Sequence, residues 1–338
     1  MKLRLSLLAA AVATLSAPIF AASALELYGK VNLTLQQTDV ENPDVTKARD
    51  VIELKSNASR FGIKGELPID EDFAAFYQVE WEVDPADNDK GSTDNIKSRN
   101  QGIGLKAGFG QMLVGRWDTP FKNLQQKVDQ FHDYDVDPKA LFSGEARANN
   151  VVAYSSPKIA GGLQFNLMTL LQEKNDSPAV TSDDDQDGAF DALSYSVEWH
   201  GKSLYLGLAI DDNHDTAKYL DGARNTRLSA QYKIGDFQLG AMWQEFEEQT
   251  GTDTNKDGKI SDNDGILASV AWNLNENNTL KLQHGQSDIL LDGGEQTLVG
   301  FDHKFARNVM LFGFAGEITQ DATDHDRSYL ASGLEVKF

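Results

Sequence analysis

The chain has 338 residues, 52 acidic against 31 basic side chains, a formal net charge of -21 and no cysteine. That balance repels nucleic acid and favours cations, and the missing thiols exclude a disulfide scaffold. Beyond the first two dozen residues no apolar run approaches the ~20 residues of a membrane-spanning helix.

Residues 1–24 read as a cleavable secretory signal. Lys2 and Arg4 precede an apolar run over 5–17, and Ala22-Ser23-Ala24 fits a small-residue cleavage site. Removing those two cations takes the charge from -21 to -23. The mature part, 25–338, then opens with alternation. Leu25, Leu27, Val31, Leu33 and Leu35 oppose Glu26, Tyr28, Lys30, Asn32, Thr34 and Gln36. Successive strand side chains point to opposite faces, so this is a strand with one apolar and one polar side. At the other end Leu330, Leu334, Val336 and Phe338 oppose Tyr329, Glu335 and Lys337. Two such strands can pair and close a sheet.

Between them the same rhythm predicts sixteen strands, at 25–37, 51–66, 73–83, 98–108, 111–117, 149–157, 163–172, 192–200, 203–211, 224–234, 237–247, 265–274, 278–287, 295–305, 309–319 and 328–338. Short connections with turn chemistry (68–71, 108–110, 160–162, 235–236, 275–278, 306–308) alternate with long polar ones (38–50, 84–97, 118–148, 173–191, 212–223, 248–264, 320–327). An all-β, sixteen-stranded antiparallel transmembrane β-barrel has this pattern, with short turns on one side and long loops on the other. Aromatic residues near many predicted strand ends, among them Trp199, Tyr205, Phe237, Trp272, Phe301, Phe312 and Phe314, read as interfacial girdles.

Four stretches are similar to the general, non-specific porins of the Gram-negative outer membrane. They are Leu27-Tyr28-Gly29-Lys30; Ser59-Arg60-Phe61-Gly62-Ile63-Lys64-Gly65-Glu66; Gly115-Arg116-Trp117-Asp118-Thr119-Pro120-Phe121 with the later Arg147-Ala148-Asn149-Asn150; and the terminal Phe338. The resemblance implies a homotrimer in outer-membrane lipid and lipopolysaccharide, passing small hydrophilic solutes, with Phe338 as an assembly signal. It also implies a constriction loop, about 118–146, folded into the barrel. That loop carries Asp129, Asp133, Asp135, Asp137 and Glu145. The facing basic wall would comprise Lys30, Arg60, Arg99 and Arg147, with Arg116 nearby, so that a transverse field crosses a narrow aqueous gap.

Strand phase tests the wall. Lys30 and Arg60 fall on the polar phase of their strands and should face the lumen. Arg99 shares phase with Ile103 and Leu105, which turns it outward unless a bulge intervenes. Arg116 shares phase with Met112 and Val114, and Arg147 sits at a strand edge.

Two acidic loops suggest calcium. Asp253, Asn255, Asp257, Lys259 (through its carbonyl) and Asp264 match the ligand spacing of an EF-hand loop, with Gly258 at the turn but Asp instead of Glu at position 12. Asp183, Asp185 and Asp187, followed by Gly188, repeat the core. These loops, about 248–264 and 173–191, would bind Ca²⁺ without the protein requiring any cofactor.

No nucleophile elbow, phosphate-binding glycine loop or HExxH zinc motif is present; His284 near Ser287 is the nearest approach to a catalytic pair. The sequence therefore predicts a non-enzymatic, cation-preferring diffusion pore. Its rivals are a solute-specific channel of the same fold, a surface-binding barrel with calcium-ordered loops, and a soluble exported sandwich.

Overall fold

A computed structural model describes residues 25–41, 49–86, 95–171, 190, 192–212, 223–248, 262–321 and 326–338. The predicted signal and most of both acidic calcium loops lie outside them. In chain order the strands are β1 (Glu26–Val40), β2 (Arg49–Ser56), β3 (Arg60–Pro68), β4 (Ala74–Val83), β5 (Ile96–Ala107), β6 (Gly110–Asp118), β7 (Arg147–Ser155), β8 (Leu163–Leu170) and β9 (Leu193–His200). They continue as β10 (Leu204–Asp212), β11 (Ala223–Ile234), β12 (Phe237–Glu248), β13 (Asp262–Asn273), β14 (Asn278–Ser287), β15 (Gly294–Ala306), β16 (Val309–Thr319) and β17 (Arg327–Lys337).

All pairings are antiparallel; they join chain neighbours except that β1 also pairs with β3, and β1 pairs with β17 to close the sheet. β2 and β3 both pair with β1 and are two halves of one span, broken at 57–59. There Ala58 adopts φ 48° and Ser59 Oγ donates to the Asn32 carbonyl at 3.2 Å. The barrel thus has sixteen spans, the predicted number. At the seam Phe338 and Gly29 exchange backbone hydrogen bonds of 2.9 and 3.0 Å. The Phe338 ring lies where a Gly29 Cβ would stand, so only glycine fits there.

The sheet is the reverse of a soluble protein. On β1, Asn32, Thr34 and Gln36 are buried while Leu27 and Leu35 are exposed. On β14, Lys281 and Gln283 are buried while Leu280 and Leu282 are exposed. An apolar outer skin this extensive requires a hydrocarbon solvent, which disposes of the soluble sandwich. Trp199, Phe237, Trp272, Phe301 and Phe305 form an exposed aromatic band at the short-turn end, as an interfacial girdle should.

Tyr205, Phe312 and Phe314 do not join that girdle. They point inward and are buried, because residues 119–146 enter the barrel and supply an apolar partner. Phe131, Tyr134, Val136, Leu141 and Phe142 of this loop pack on Phe246, Leu267, Leu298, Phe312 and Phe314. Tyr134 stacks on Phe312 and Phe314 at centroid distances of 4.7 and 5.3 Å. Inward aromatics therefore mark where the loop lies on the wall.

Candidate functional site

The inward loop begins with a capped helix. Thr119 accepts from the Lys122 amide at 3.1 Å, and Pro120 occupies the first turn of α1 (Pro120–Gln125). Asp137 caps a 3₁₀ turn (Pro138–Ala140) in the same way, accepting from the Lys139 amide at 3.0 Å. Gly144, at φ 89°, turns the chain back to the wall, and a Cβ there would strike the Phe121 ring. Three attachments then hold the loop in place.

The first is at its neck. Arg147 Nη2 lies 3.0 Å from Asp118 Oδ1, and Arg147 Nε donates to Asn100 at 2.8 Å. Lys122 sits 3.3 Å from Asp118 and 3.5 Å from Glu145. Arg147 and Glu145 therefore join the two ends of the loop and do not stand across a gap from each other.

The second is Arg227 of β11, which the sequence reading missed. Its fully buried guanidinium donates to the Phe121 carbonyl at 3.1 Å, the Ser143 carbonyl at 2.8 Å and Gln244 Oε1 at 2.6 Å. It also lies 4.1 Å from the centre of the Phe121 ring. One planar fork thereby grips both limbs of the loop. An arginine on the inward phase of a strand, alternating with Leu228, was the available signal.

The third is the tip. Asp133, at φ 71°, receives Lys30 Nζ at 2.8 Å and Arg60 Nη1 at 2.9 Å on the same oxygen. Burial alone would raise the Asp133 carboxyl, but Lys30, His132 and Arg60 hold it well below the usual carboxylate range. Asp135 meets Lys55 at 3.2 Å and Gln36 Nε2 at 3.0 Å. Asp129 and Asp137 are buried inside the loop, each 3.7 Å from His132 Nδ1. Burial, then Asp129 and Glu145, push Asp137 up to about 7. His132 moves to about 8, because Asp129, Asp133 and Asp137 outweigh the opposing effect of its burial.

The wall is basic, as the resemblance implies, yet its cations are already matched. Arg99 reaches Glu80 at 2.7 Å and Glu82 at 2.6 Å. It faces inward because Glu80 of β4 stands opposite both Arg99 and Asn100 of β5, a bulge that reverses the strand phase. Tyr28 donates to Glu80 at 3.1 Å, and Lys30 donates to Glu335 at 3.3 Å. Glu80, Glu82 and Glu335 are thus acids of the wall itself. Arg116 stays apart. It donates to the exposed Asn149 and shares phase with the exposed Met112 and Val114. The expected separation of acid and base across water is replaced, at the tip, by direct contact. A polar cavity of about 440 Å³ lies beneath the tip on the short-turn side, lined by Lys30, Asp133, Lys281, Asp302 and Glu335 among others.

Of the first acidic loop motif, Asp264 is described. It sits within β13 opposite Glu245 and accepts from Trp243 Nε1 at 3.3 Å. Asp253, Asn255, Asp257 and Lys259 lie outside the described residues, as do Asp183, Asp185 and Asp187. The catalytic pairing fails on geometry. His284 is on the exposed face of β14, while Ser287 is buried and donates inward to the Leu141 carbonyl.

Comparisons with known proteins agree with this architecture. The chain is 30% identical over 163 residues to the major outer membrane protein P.IB of Neisseria sicca, an alignment covering 46% of this chain and 44% of the relative. It thus spans under half the length of that relative at this identity. With the P.IB protein of Neisseria meningitidis serogroup B / serotype 15 (strain H44/76) it is 22% identical over 346 residues, covering 98% of each. The anion-selective porin from Comamonas acidovorans superposes with a TM-score of 0.73 at 16% identity, over 94% of this chain and 100% of that one. A family model described as Gram-negative porin matches residues 7–323. With an apolar skin, a polar lumen and an inward loop tied to a basic wall, the chain belongs to the Gram-negative porin family of the outer membrane.

Proposed function

We propose that this barrel is a passive diffusion pore for small hydrophilic solutes and ions, and that it prefers cations. The observation that carries the reading is the tip contact: Asp133 bound to Lys30 and Arg60 fixes a loop inside a lumen lined by buried polar side chains. A tethered loop narrows the passage, and dense paired charges favour hydrated, polar solutes over apolar ones. Three such barrels would work side by side, the assembly that the family resemblance implies.

The cation preference is supported by the acid excess of the chain. Because the wall cations are matched by Asp133, Glu80, Glu82 and Glu335, that excess acts chiefly from the long acidic connections. Segments 173–191 and 248–264 belong to the set that links strands on the side away from the short turns. Fields from charge on such connections concentrate cations at a mouth and are sensitive to salt.

Planar bilayers containing the detergent-purified protein test both parts. Stepwise conductance is expected, with reversal displaced toward the potassium potential under a KCl gradient. Absence of conductance would overturn the pore, and reversal at the chloride potential would overturn the preference.

A further inference from the structure

We propose that Asp129, His132 and Asp137 form a divalent-cation site inside the constriction loop, suited to Zn²⁺ or a cation of similar ligand preference. One ligand atom from each, the imidazole Nδ1 and two carboxylate oxygens, lie within 4.8 Å of one another. His132 Nδ1 is 3.7 Å from Asp129 Oδ2 and 3.7 Å from Asp137 Oδ2. Zinc–ligand bonds of about 2.0–2.2 Å set tetrahedral edges of about 3.4 Å, so each histidine–carboxylate pair needs to draw in by a few tenths of an ångström, and the two carboxylate oxygens, within 4.8 Å of each other, by at most about 1.4 Å.

Two of the three atoms want a partner. Asp129 Oδ2 and His132 Nδ1 are buried and accept or donate no hydrogen bond, and the Asp129 side chain has no exposed surface. Buried polar atoms of this kind are costly unless something satisfies them. Among the described residues, His132 is the sole basic group within 4.0 Å of either carboxylate. A dication would complete what one imidazole leaves undone.

The surrounding bonds hold the donors in place. Asp129 Oδ1 accepts from the Phe131 amide at 2.8 Å, leaving Oδ2 free. Asp137 Oδ1 accepts from the Lys139 amide at 3.0 Å, and its Oδ2 from the Asp133 amide at 3.2 Å. The other imidazole nitrogen, Nε2, faces Asp133 Oδ1 at 3.5 Å. A carboxylate behind a metal-bound histidine orients the ring and strengthens it as a ligand. Here that carboxylate is the one that Lys30 and Arg60 grip, so the site is built into the tip attachment. Asp129 and His132 also contribute to the lining of the cavity beneath the loop, so the site adjoins the lumen. One nitrogen and two oxygens suit zinc or its transition-metal neighbours; calcium, which takes six to eight oxygens, has too few here.

Isothermal titration of the detergent-folded chain with ZnCl₂ tests this, with CaCl₂ in parallel. One Zn²⁺ per chain is expected, weakened at least tenfold in Asp129→Asn and in His132→Asn, and unchanged in His284→Asn. Asp133→Asn should weaken it by about 10–100-fold as a positioning change. Equal affinity of wild type, Asp129→Asn and His132→Asn would overturn the site. X-ray absorption at the zinc edge of the wild-type protein gives an answer independent of whether the variants fold. Outer-shell imidazole scattering supports the assignment, and a purely oxygen environment defeats it.

Discussion

Arg60 Nη1 and Asp133 Oδ2 lie 2.9 Å apart although 73 residues separate them in the chain. This contact, with Lys30 beside it, is where a loop tip becomes part of the wall. Asp133→Asn removes the carboxylate that Lys30 and Arg60 share, leaving Lys30 only Glu335 at 3.3 Å and Arg60 only Glu80 at 3.9 Å. Breaking a buried pair from one side costs about 3–5 kcal/mol, so a lower denaturation midpoint and noisier, larger single-channel currents are expected. A variant with wild-type current amplitude and noise would show that the tip contact does not limit the passage.

Arg227 makes a second prediction. Its hydrogen bonds to the Phe121 and Ser143 carbonyls join both limbs of the loop. Charged hydrogen bonds contribute about 1.5–3 kcal/mol each. Arg227→Ala should expose the loop to proteolysis while the strands remain resistant. Arg227→Lys should rescue little, since an ammonium lacks the planar fork. Limited proteolysis followed by mass mapping decides the matter.

A third prediction concerns salt. If exposed loop acids select cations, the reversal potential for a fixed tenfold KCl gradient should shrink as salt rises from about 0.1 M to 1 M. The screening length falls over that range from about 10 Å to 3 Å. Charge fixed at the loop tip, within contact distance of the permeating ion, would give a preference that persists. Measurement across the series separates the two origins.

The lipid face makes a fourth. Leu282 is exposed near the middle of β14, and its neighbour Gln283 is buried in the lumen. Leu282→Arg places a guanidinium in hydrocarbon and should cost about 2–4 kcal/mol. The reciprocal unfolding titration in phospholipid vesicles reads this directly, and an unaltered midpoint would contradict the assigned outward face.

The alternation of Leu27, Lys30, Val31 and Gln36, and its echo around Leu330 and Glu335, made the barrel legible before any coordinate. Those residues obey the period-two rule, and the lipid enforces it at every outward position. The site was less legible because it depends on departures from that rule. Arg99 faces inward through a bulge opposite Glu80, which no local pattern announces. Phe312 and Phe314 face the lumen because a loop more than 160 residues earlier in the chain covers them. Lys30, Arg60 and Asp133 were identified, and they do meet. Asp129 and Asp137 carried the same charge but lie beneath the surface, since an acid in a loop has no phase to show which way it turns. Arg227 was overlooked for a similar reason: a polar residue on a lumen phase looks like any other until its partner arrives.

The three attachments of the inward loop, at Asp118–Arg147, at Arg227 and at Asp133, have a mechanical consequence. A beam fixed at base, middle and tip stiffens steeply as its free spans shorten, so releasing one support lets only one span flex. Wide swings of this segment would demand two simultaneous failures. Thermal fluctuation of the aperture should therefore be a tremor of small amplitude, and abrupt full openings should be rare in the intact protein.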